Sequence, residues 1–372
     1  MPIILFIWLL LASVFIGAYV FYFVYAKFSL SKPWNLKIDN NFLPRVSILI
    51  PTHNEGKNIR AKLENISNVT YPKEKIEIVV ADDASTDNTL QEVYRFKREK
   101  PELNIKIVKQ KQRVGKAKVL NSALPLCTKD IIIVSDADCI WQVDALSKAI
   151  PYLADPKVGA ITGIGLIENQ TSWITKNEAN YLNISHLLRF AESKIYSTIR
   201  FEGGFCAYKA EAFKKFDDES GSDDSGTALS IVQNGFRALC IPEVKFTTKF
   251  PESLEGKVKV KIRRACQLVK LWLKCLRLLL RNQLILPEKI AIPNIFIFII
   301  NPLFFFALIP FTLILATVNY VLLAFLAITL TFMLAIPKLR RYFIELIMDN
   351  FILLYSLTLV VRRKKFVIWE KA

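Results

Sequence analysis

Cysteine is scarce in this chain and poorly spaced for chemistry. The six residues Cys127, Cys139, Cys206, Cys240, Cys266 and Cys275 form no C-x-x-C pair and no metal-ligand pattern. Several lie in apolar runs, as reduced structural cysteines do. That excludes a structural zinc site and a disulfide framework, and it fits a reducing, cytosolic setting. Charge is missing from Ile3 to Tyr25 and again from Ile290 to Pro337. Two such stretches exclude a uniformly soluble chain. The first is long enough, at ~1.5 Å per residue, to cross a hydrocarbon core of ~30 Å. It also lacks a basic segment before it and a small-residue cleavage site after it, so it reads as a retained anchor rather than a signal peptide. Acids are in deficit as well: 33 Asp and Glu face 50 Lys and Arg, for a net charge of +17. That balance suits an anionic membrane surface, phosphorylated substrates or nucleic acid. Nucleic acid is the poorest fit, because the densest basic stretch is interleaved with membrane-type residues.

Between the apolar ends the pattern is α/β. Val46–Ile50, Ile76–Ala81, Ile105–Lys109 and Ile131–Val134 read as buried strands, and helices are expected from Lys57, Asn88 and Gly115. Strand and helix alternating at this spacing predict parallel βαβ units. The later part is less regular. Val158–Ile167 and a segment through Tyr208 are strand-like, and Ile174–Ile199 is helical. An acidic loop, Asp217–Gly226, leads to a helix over Thr227–Gln233 that stops at Asn234-Gly235. A strand follows over Phe236–Pro242.

The stretch Asp130–Cys139, DIIIVSDADC, organises the rest. A β-branched run that stops in Asp136 and Asp138 places two carboxylates at the carboxyl edge of a sheet, where α/β folds bind ligands. Two hard oxygen donors so close suit Mg²⁺ or Mn²⁺ shared with phosphates.

Gly256–Lys289 carries ten basic residues and one acid, the pattern of an amphipathic helix in the membrane interface. Ile290–Pro337 has the length of a two-span hairpin, turning near Pro310 or near Asn319. Tyr342–Val361 is interrupted by Glu345, Asp349 and Asn350 and followed by Arg362-Arg363-Lys364-Lys365. An interfacial or re-entrant helix there keeps both flanking basic clusters on one side. Lys27, Lys32 and Lys37 put everything after the anchor in the cytoplasm by the positive-inside rule.

Four segments together, ILIPTHNEGKNI, VVADDASTDNT, RVGKAKVLN and SDADC, resemble the membrane-bound branch of glycosyltransferase family 2. The resemblance covers Arg45 to Pro242. It implies a Rossmann-like, mostly parallel sheet of the A-type nucleotide-sugar-binding fold, flanked by transmembrane helices. It also implies a UDP- or GDP-type sugar donor, with Pro51, His53, Glu55, Asp82 and Asp83 near base and ribose. Lys116 would meet phosphate at a helix start, and Asn121 would reach ribose. Asp136 and Asp138 would hold Mn²⁺ or Mg²⁺, completed by diphosphate oxygens and water, since no histidine follows His186. Asp87 and Thr89 read as helix caps. The acidic pair before the Thr227 helix is Asp223-Asp224, with Asp224 the implied catalytic base and Asp223 orienting. Arg263 and Arg264 stand where processive members carry Gln-x-x-Arg-Trp. They can bridge diphosphate, but the missing Trp argues against processive synthesis.

The layout expected is a transmembrane anchor over 1–26, a cytoplasmic catalytic domain over 44–255 and an amphipathic interfacial region over 256–289. A transmembrane hairpin over 290–337 and an interfacial or re-entrant helix with a basic tail over 338–372 complete it. The function expected is an inverting transferase in the cell membrane that acts on a lipid-linked or membrane-delivered glycan, with no nucleic-acid partner. Alternatives are a polyprenyl-phosphate monosaccharide synthase, a short-chain polysaccharide synthase, and an inactive nucleotide-sugar-binding scaffold.

Overall fold

The computed structural model describes residues 2–219 and 222–362. They fall into two compact units, one of 26–254 and one of 2–25 with 255–362. The chain enters on helix α1 (Pro2–Leu30).

In the larger unit the β-branched runs form four parallel strands, β1 (Val46–Thr52), β2 (Ile76–Asp82), β3 (Asn104–Lys109) and β4 (Ile131–Val134). β1 lies between β2 and β4, with β3 outside β2. Helices α2 (Ile59–Ser67) and α3 (Thr89–Glu99) bury Ile59, Leu63, Ile66, Val93 and Phe96 in one cluster with Val46, Ile48, Ile78 and Ile133. Leu49 and Val79 face the other way by the two-residue period of a strand, and they are equally buried. Helix α4 (Lys116–Ala123) buries Val119, Leu120 and Ala123.

After β4 strands and helices still alternate, but the sheet becomes mixed because β7 inserts antiparallel between β4 and β6. The remaining elements are β5 (Ile140–Trp141), α5 (Ala145–Ala149), β6 (Val158–Ile167), α6 (Trp173–Ile195), β7 (Cys206–Lys209), α7 (Asp223–Gln233) and β8 (Arg237–Thr248). The order is β3-β2-β1-β4-β7-β6-β8-β5. β7 is antiparallel to β4 and β6, β8 is parallel to β6, and β5 is antiparallel to β8. The α/β expectation therefore holds, with the parallel character confined to the first four strands and the β6/β8 pair. Helix α7 starts four residues earlier than the pattern indicated. Asp223 and Asp224 occupy its first turn, where carboxylates meet the positive end of the helix dipole. It ends as expected, with Gly235 at φ +89°.

The smaller unit is helical: α1, α8 (Leu254–Leu280), α9 (Glu288–Ile295), a π turn (Phe296–Ile300), α10 (Asn301–Val318), α11 (Tyr320–Ala335) and α12 (Pro337–Val361). Trp8 donates to Thr312 Oγ1 (2.8 Å), Asn301 donates to the Phe15 carbonyl (3.1 Å), and Asn294 donates to the Tyr22 hydroxyl (2.8 Å). Those three contacts run α1 antiparallel to α9–α10. Of the two turn positions, Asn319 is the one used. Its side chain accepts from the Leu322 N–H (3.0 Å) and caps α11, while Pro310 stays inside α10. Among the described residues, Pro2–Leu30, Glu288–Val318 and Pro337–Val361 are long and apolar enough to cross a membrane, and Tyr320–Ala335 is a shorter apolar helix. α12 is unbroken over its 25 residues. The basic cluster after it lies, from residue 363 on, outside the described residues.

The charges that interrupt α12 have a physical account. Glu345 accepts from Lys257 and from Lys261 (2.7 Å), and Lys261 also reaches Asp349 (2.6 Å). Lys257 is completely buried, so each charge needs its partner. Replacing one side, as in Glu345→Ala, is expected to destabilise this unit by about 3–5 kcal/mol. Lys257→Met combined with Glu345→Met should recover most of that, as measured by thermal unfolding in detergent.

Candidate active site

The turns leaving β1 and β2 lock onto each other. The Asn54 side-chain oxygen accepts from the Thr86 N–H (2.8 Å), the Glu55 N–H donates to Thr89 Oγ1 (2.8 Å), and the Gly56 N–H donates to Asp87 (3.0 Å). Asn54 and Ala84 both sit at positive φ (55° and 56°), strain of the kind folds keep at functional turns. Asp87 also accepts from the Thr89 N–H (3.0 Å), standing one residue before Asn88, which takes the N-cap position of α3 in its place.

Within this lattice the sequence-predicted residues take different places. Asp83 accepts from the N–H groups of Val114 (2.7 Å) and Gly115 (2.8 Å), fixing the loop that leads into α4. His53 contacts the Asp83 carbonyl through Nδ1 (2.7 Å). Pro51, Thr52, His53, Asp83, Arg113, Lys116 and Val119 line one cleft at the carboxyl ends of β1 and β2. Others stand outside it. Asp82 is buried and accepts from the Ser85 N–H (3.1 Å) and the Ser85 hydroxyl. Glu55 is buried at the start of α2, where it accepts from the Asn58 side chain (2.7 Å). Asn121, for which the resemblance implied a ribose contact, uses its amide to clamp the backbone of Phe216, donating to the carbonyl (2.9 Å) and accepting from the N–H (2.7 Å). It therefore orders the segment just before the acidic loop. Arg263 and Arg264 lie on α8, in the other unit.

Beside the cleft is a cluster of charges from three elements. Lys116, the first residue of α4, reaches Asp136 after β4 (2.8 Å) and Asp223 on α7 (3.3 Å). Burial alone would lower the Lys116 pKa, but Asp136, Asp223 and Asp224 outweigh it and hold the ammonium well above its ordinary value. Burial pushes the Asp223 carboxyl up to about 6; Lys116 opposes the shift, while the charges of Asp224 and Asp136 add to it. Asp224 turns its carboxylate to its own helix start, accepting from the Ser222 hydroxyl and from the Ser225 N–H (2.8 Å).

Asp136, Asp138 and Cys139 offer donor atoms within 4.8 Å of one another. The two carboxylates are the hard oxygen donors that Mn²⁺ and Mg²⁺ prefer. The Cys139 thiol does not fit that set, because burial and the two aspartates push its pKa well up and keep it neutral.

Sequence reasoning missed two contributors. Arg113 sits in a quoted segment but carried no assigned role. Gly203 is the other: its carbonyl accepts from the Asp136 N–H (3.0 Å), and a Cβ there would fall 2.7 Å from Asp136 Oδ2 and 2.9 Å from Lys116 Nζ. The only signal was the glycine pair itself. Glu202, just before it, is held by Arg189 (2.7 Å) and the Gly165 N–H (2.8 Å), with His186 at 3.4 Å.

A family model described as Glycosyl transferase family 2 matches residues 47–217. A solved mannosyltransferase from Pyrobaculum calidifontis, in complex with GDP-Man and Mn²⁺, is 30% identical with a TM-score of 0.82, and the match covers 96% of this chain and 99% of that one. Poly-β-1,6-N-acetyl-D-glucosamine synthases are similar too. The protein from Staphylococcus aureus (strain COL) is 27% identical over 256 residues, which is 67% of this chain. That from Staphylococcus epidermidis is 25% identical over 251 residues, or 65% of this chain. The matched region spans 60% of the length of each of these two relatives.

Two outcomes are expected. Gly203→Ala forces the Asp136/Lys116 pair apart and should lower turnover at least tenfold while leaving the melting temperature nearly unchanged, as read by assay and thermal scan together. Burial would raise the Glu202 pKa, but Arg189 and His186 bring it down to about 2. A depressed carboxyl adds stability above the unfolded-state value near 4.5 and loses it as pH falls toward 2, a span worth roughly 3 kcal/mol. The native protein should therefore melt progressively lower from pH 5 to pH 2, and Glu202→Gln should flatten that slope.

Proposed function

Because this chain belongs to glycosyltransferase family 2, we propose that it is a membrane-anchored, inverting, non-processive transferase. It moves a sugar from a UDP- or GDP-type donor to a lipid-linked or membrane-delivered glycan at the cytoplasmic face of the cell membrane. One observation carries the proposal: Lys116 joins the cleft at the carboxyl ends of β1 and β2 to the Asp136/Asp138 turn and to the acidic start of α7. The relative solved with GDP-Man and Mn²⁺ supports the donor class and the metal. The three apolar helices, with Lys27, Lys32 and Lys37 after the first, support the anchoring and its orientation.

The cleft residues Pro51, His53, Asp83 and Arg113 bind base and ribose, and Lys116 meets the diphosphate. Asp136 and Asp138 would hold the divalent ion, which when bound would supply positive charge toward the departing nucleotide diphosphate. Asp224 takes the proton of the acceptor hydroxyl as that oxygen bonds to the anomeric carbon. The bond from that carbon to the diphosphate oxygen breaks on the opposite side, so configuration inverts. Asp223 holds Lys116 in place. One observation favours a second assignment, with Asp223 as the base: its carboxyl, pushed up to about 6, is better matched to proton abstraction near neutrality. If the acceptor is instead a polyprenyl phosphate, it is already anionic and neither acid is needed as a base.

Asp224→Asn separates these readings. It should bind the nucleotide sugar with near-native affinity yet transfer roughly 10²–10⁴-fold more slowly, the usual worth of a general base. Release of nucleotide diphosphate from a panel of donors with Mn²⁺ gives the rate, and titration calorimetry gives the affinity. Loss of donor affinity with turnover kept at saturation would move Asp224 to the donor site and leave Asp223 as the base. Unchanged turnover in both Asp224→Asn and Asp223→Asn would favour the phosphate acceptor.

A further inference from the structure

The turn bearing Asp136 and Asp138 is short and ends in an exposed carboxylate, so something must hold its shape. Helix α2 supplies that from behind through two side chains three residues apart, hence on one face. Lys62 donates to the Cys139 carbonyl (2.8 Å), and its ammonium lies 4.0 Å from the centre of the Trp141 ring. Asn65 grips the Trp141 backbone at both ends, donating to the carbonyl (2.9 Å) and accepting from the N–H (2.9 Å). The Trp141 indole in turn donates to the Gly204 carbonyl (2.7 Å), which also accepts from Ser135 (2.7 Å) just before the turn. The segment that follows the two carboxylates is thus tied to α2 and to the glycine pair beside Asp136.

Lys62 is fully buried. A hydrocarbon side chain of that length would pack on Trp141 as well and incur no desolvation cost. What the amine adds is its hydrogen bond to the backbone of the turn and its charge over the Trp141 ring.

We propose that Lys62 and Asn65 are positioning residues that hold Asp136 and Asp138 in their cation-binding geometry. This rests on the assignment of those two carboxylates to Mn²⁺ or Mg²⁺. Neither side chain need touch the ion or the substrate. Partners that orient metal ligands typically change affinity about 10–100-fold when removed.

The test is Mn²⁺ binding to the full-length, metal-free protein in detergent, followed by electron paramagnetic resonance of free Mn²⁺ and paired with thermal melts and kinetics. Asn65→Ala removes two hydrogen bonds without changing charge, and Lys62→Met keeps length and packing. Both should weaken Mn²⁺ binding about tenfold or more. Turnover at saturating Mn²⁺ and donor should stay within about twofold of native, and Lys62→Met should melt no lower than native. Loss of a positive charge alone would tighten binding of a dication, so weaker binding in Lys62→Met is specific to lost positioning. Native affinity in both variants, or loss of turnover that saturation does not restore, overturns the proposal. Asp138→Ala is the control for the underlying assignment. If it binds Mn²⁺ as native does, the metal site itself is wrong; if it alone loses Mn²⁺, only the positioning role fails.

Discussion

Three charges from three separate elements meet at Lys116, and none of them could be held there without the others. The ammonium stands 2.8 Å from Asp136 and 3.3 Å from Asp223, in surroundings where a lone charge is expensive. The elements that bring them together must therefore keep these groups within contact distance. β4 delivers Asp136, the loop pinned by Asp83 delivers Lys116, and α7 delivers Asp223. Gly203 fits against the pair because it has no side chain. In the proposed reaction the same geometry serves the donor, since a cation poised between two acids can exchange partners with an anionic diphosphate.

Much of the polar chemistry near the cleft supports structure rather than ligand. Asp82, Glu55, Asp87 and Asn121 hydrogen-bond to neighbouring turns and helix starts. Their presence lets two strained turns, with Asn54 and Ala84 at positive φ, persist beside an open cleft. Residues of one motif thus divide between those that meet the cleft, such as His53 and Asp83, and those that hold the turn for them.

The helical unit follows the same rule of paired polar groups in an apolar setting. Two of its buried amides bond across helices, Asn294 to Tyr22 and Asn301 to the Phe15 carbonyl. Its charges pair across α8 and α12. The basic residues of α8 consequently do two jobs: Lys257 and Lys261 are internal and paired with α12, while Lys259 is exposed.

The linear pattern determined what depends on neighbours in the chain. β-branched runs specified β1, β2 and β4, glycine after Asn234 ended α7, and uncharged runs marked the apolar helices. The four motifs, each at a strand end or helix start, carried the family and therefore the class of site. Tertiary structure alone decided what depends on residues far apart. The mixed pairing beyond β4 depends on where β7 and β8 enter the sheet. Asn121 meets Phe216 across 95 residues, and Lys62 meets Cys139 across 77. Glu345 and Asp349 look like interruptions until Lys257 and Lys261 lie against them. Hydrogen bonds and ion pairs act over a few ångströms in space, and periodicity along the chain carries no record of which distant groups will come that close.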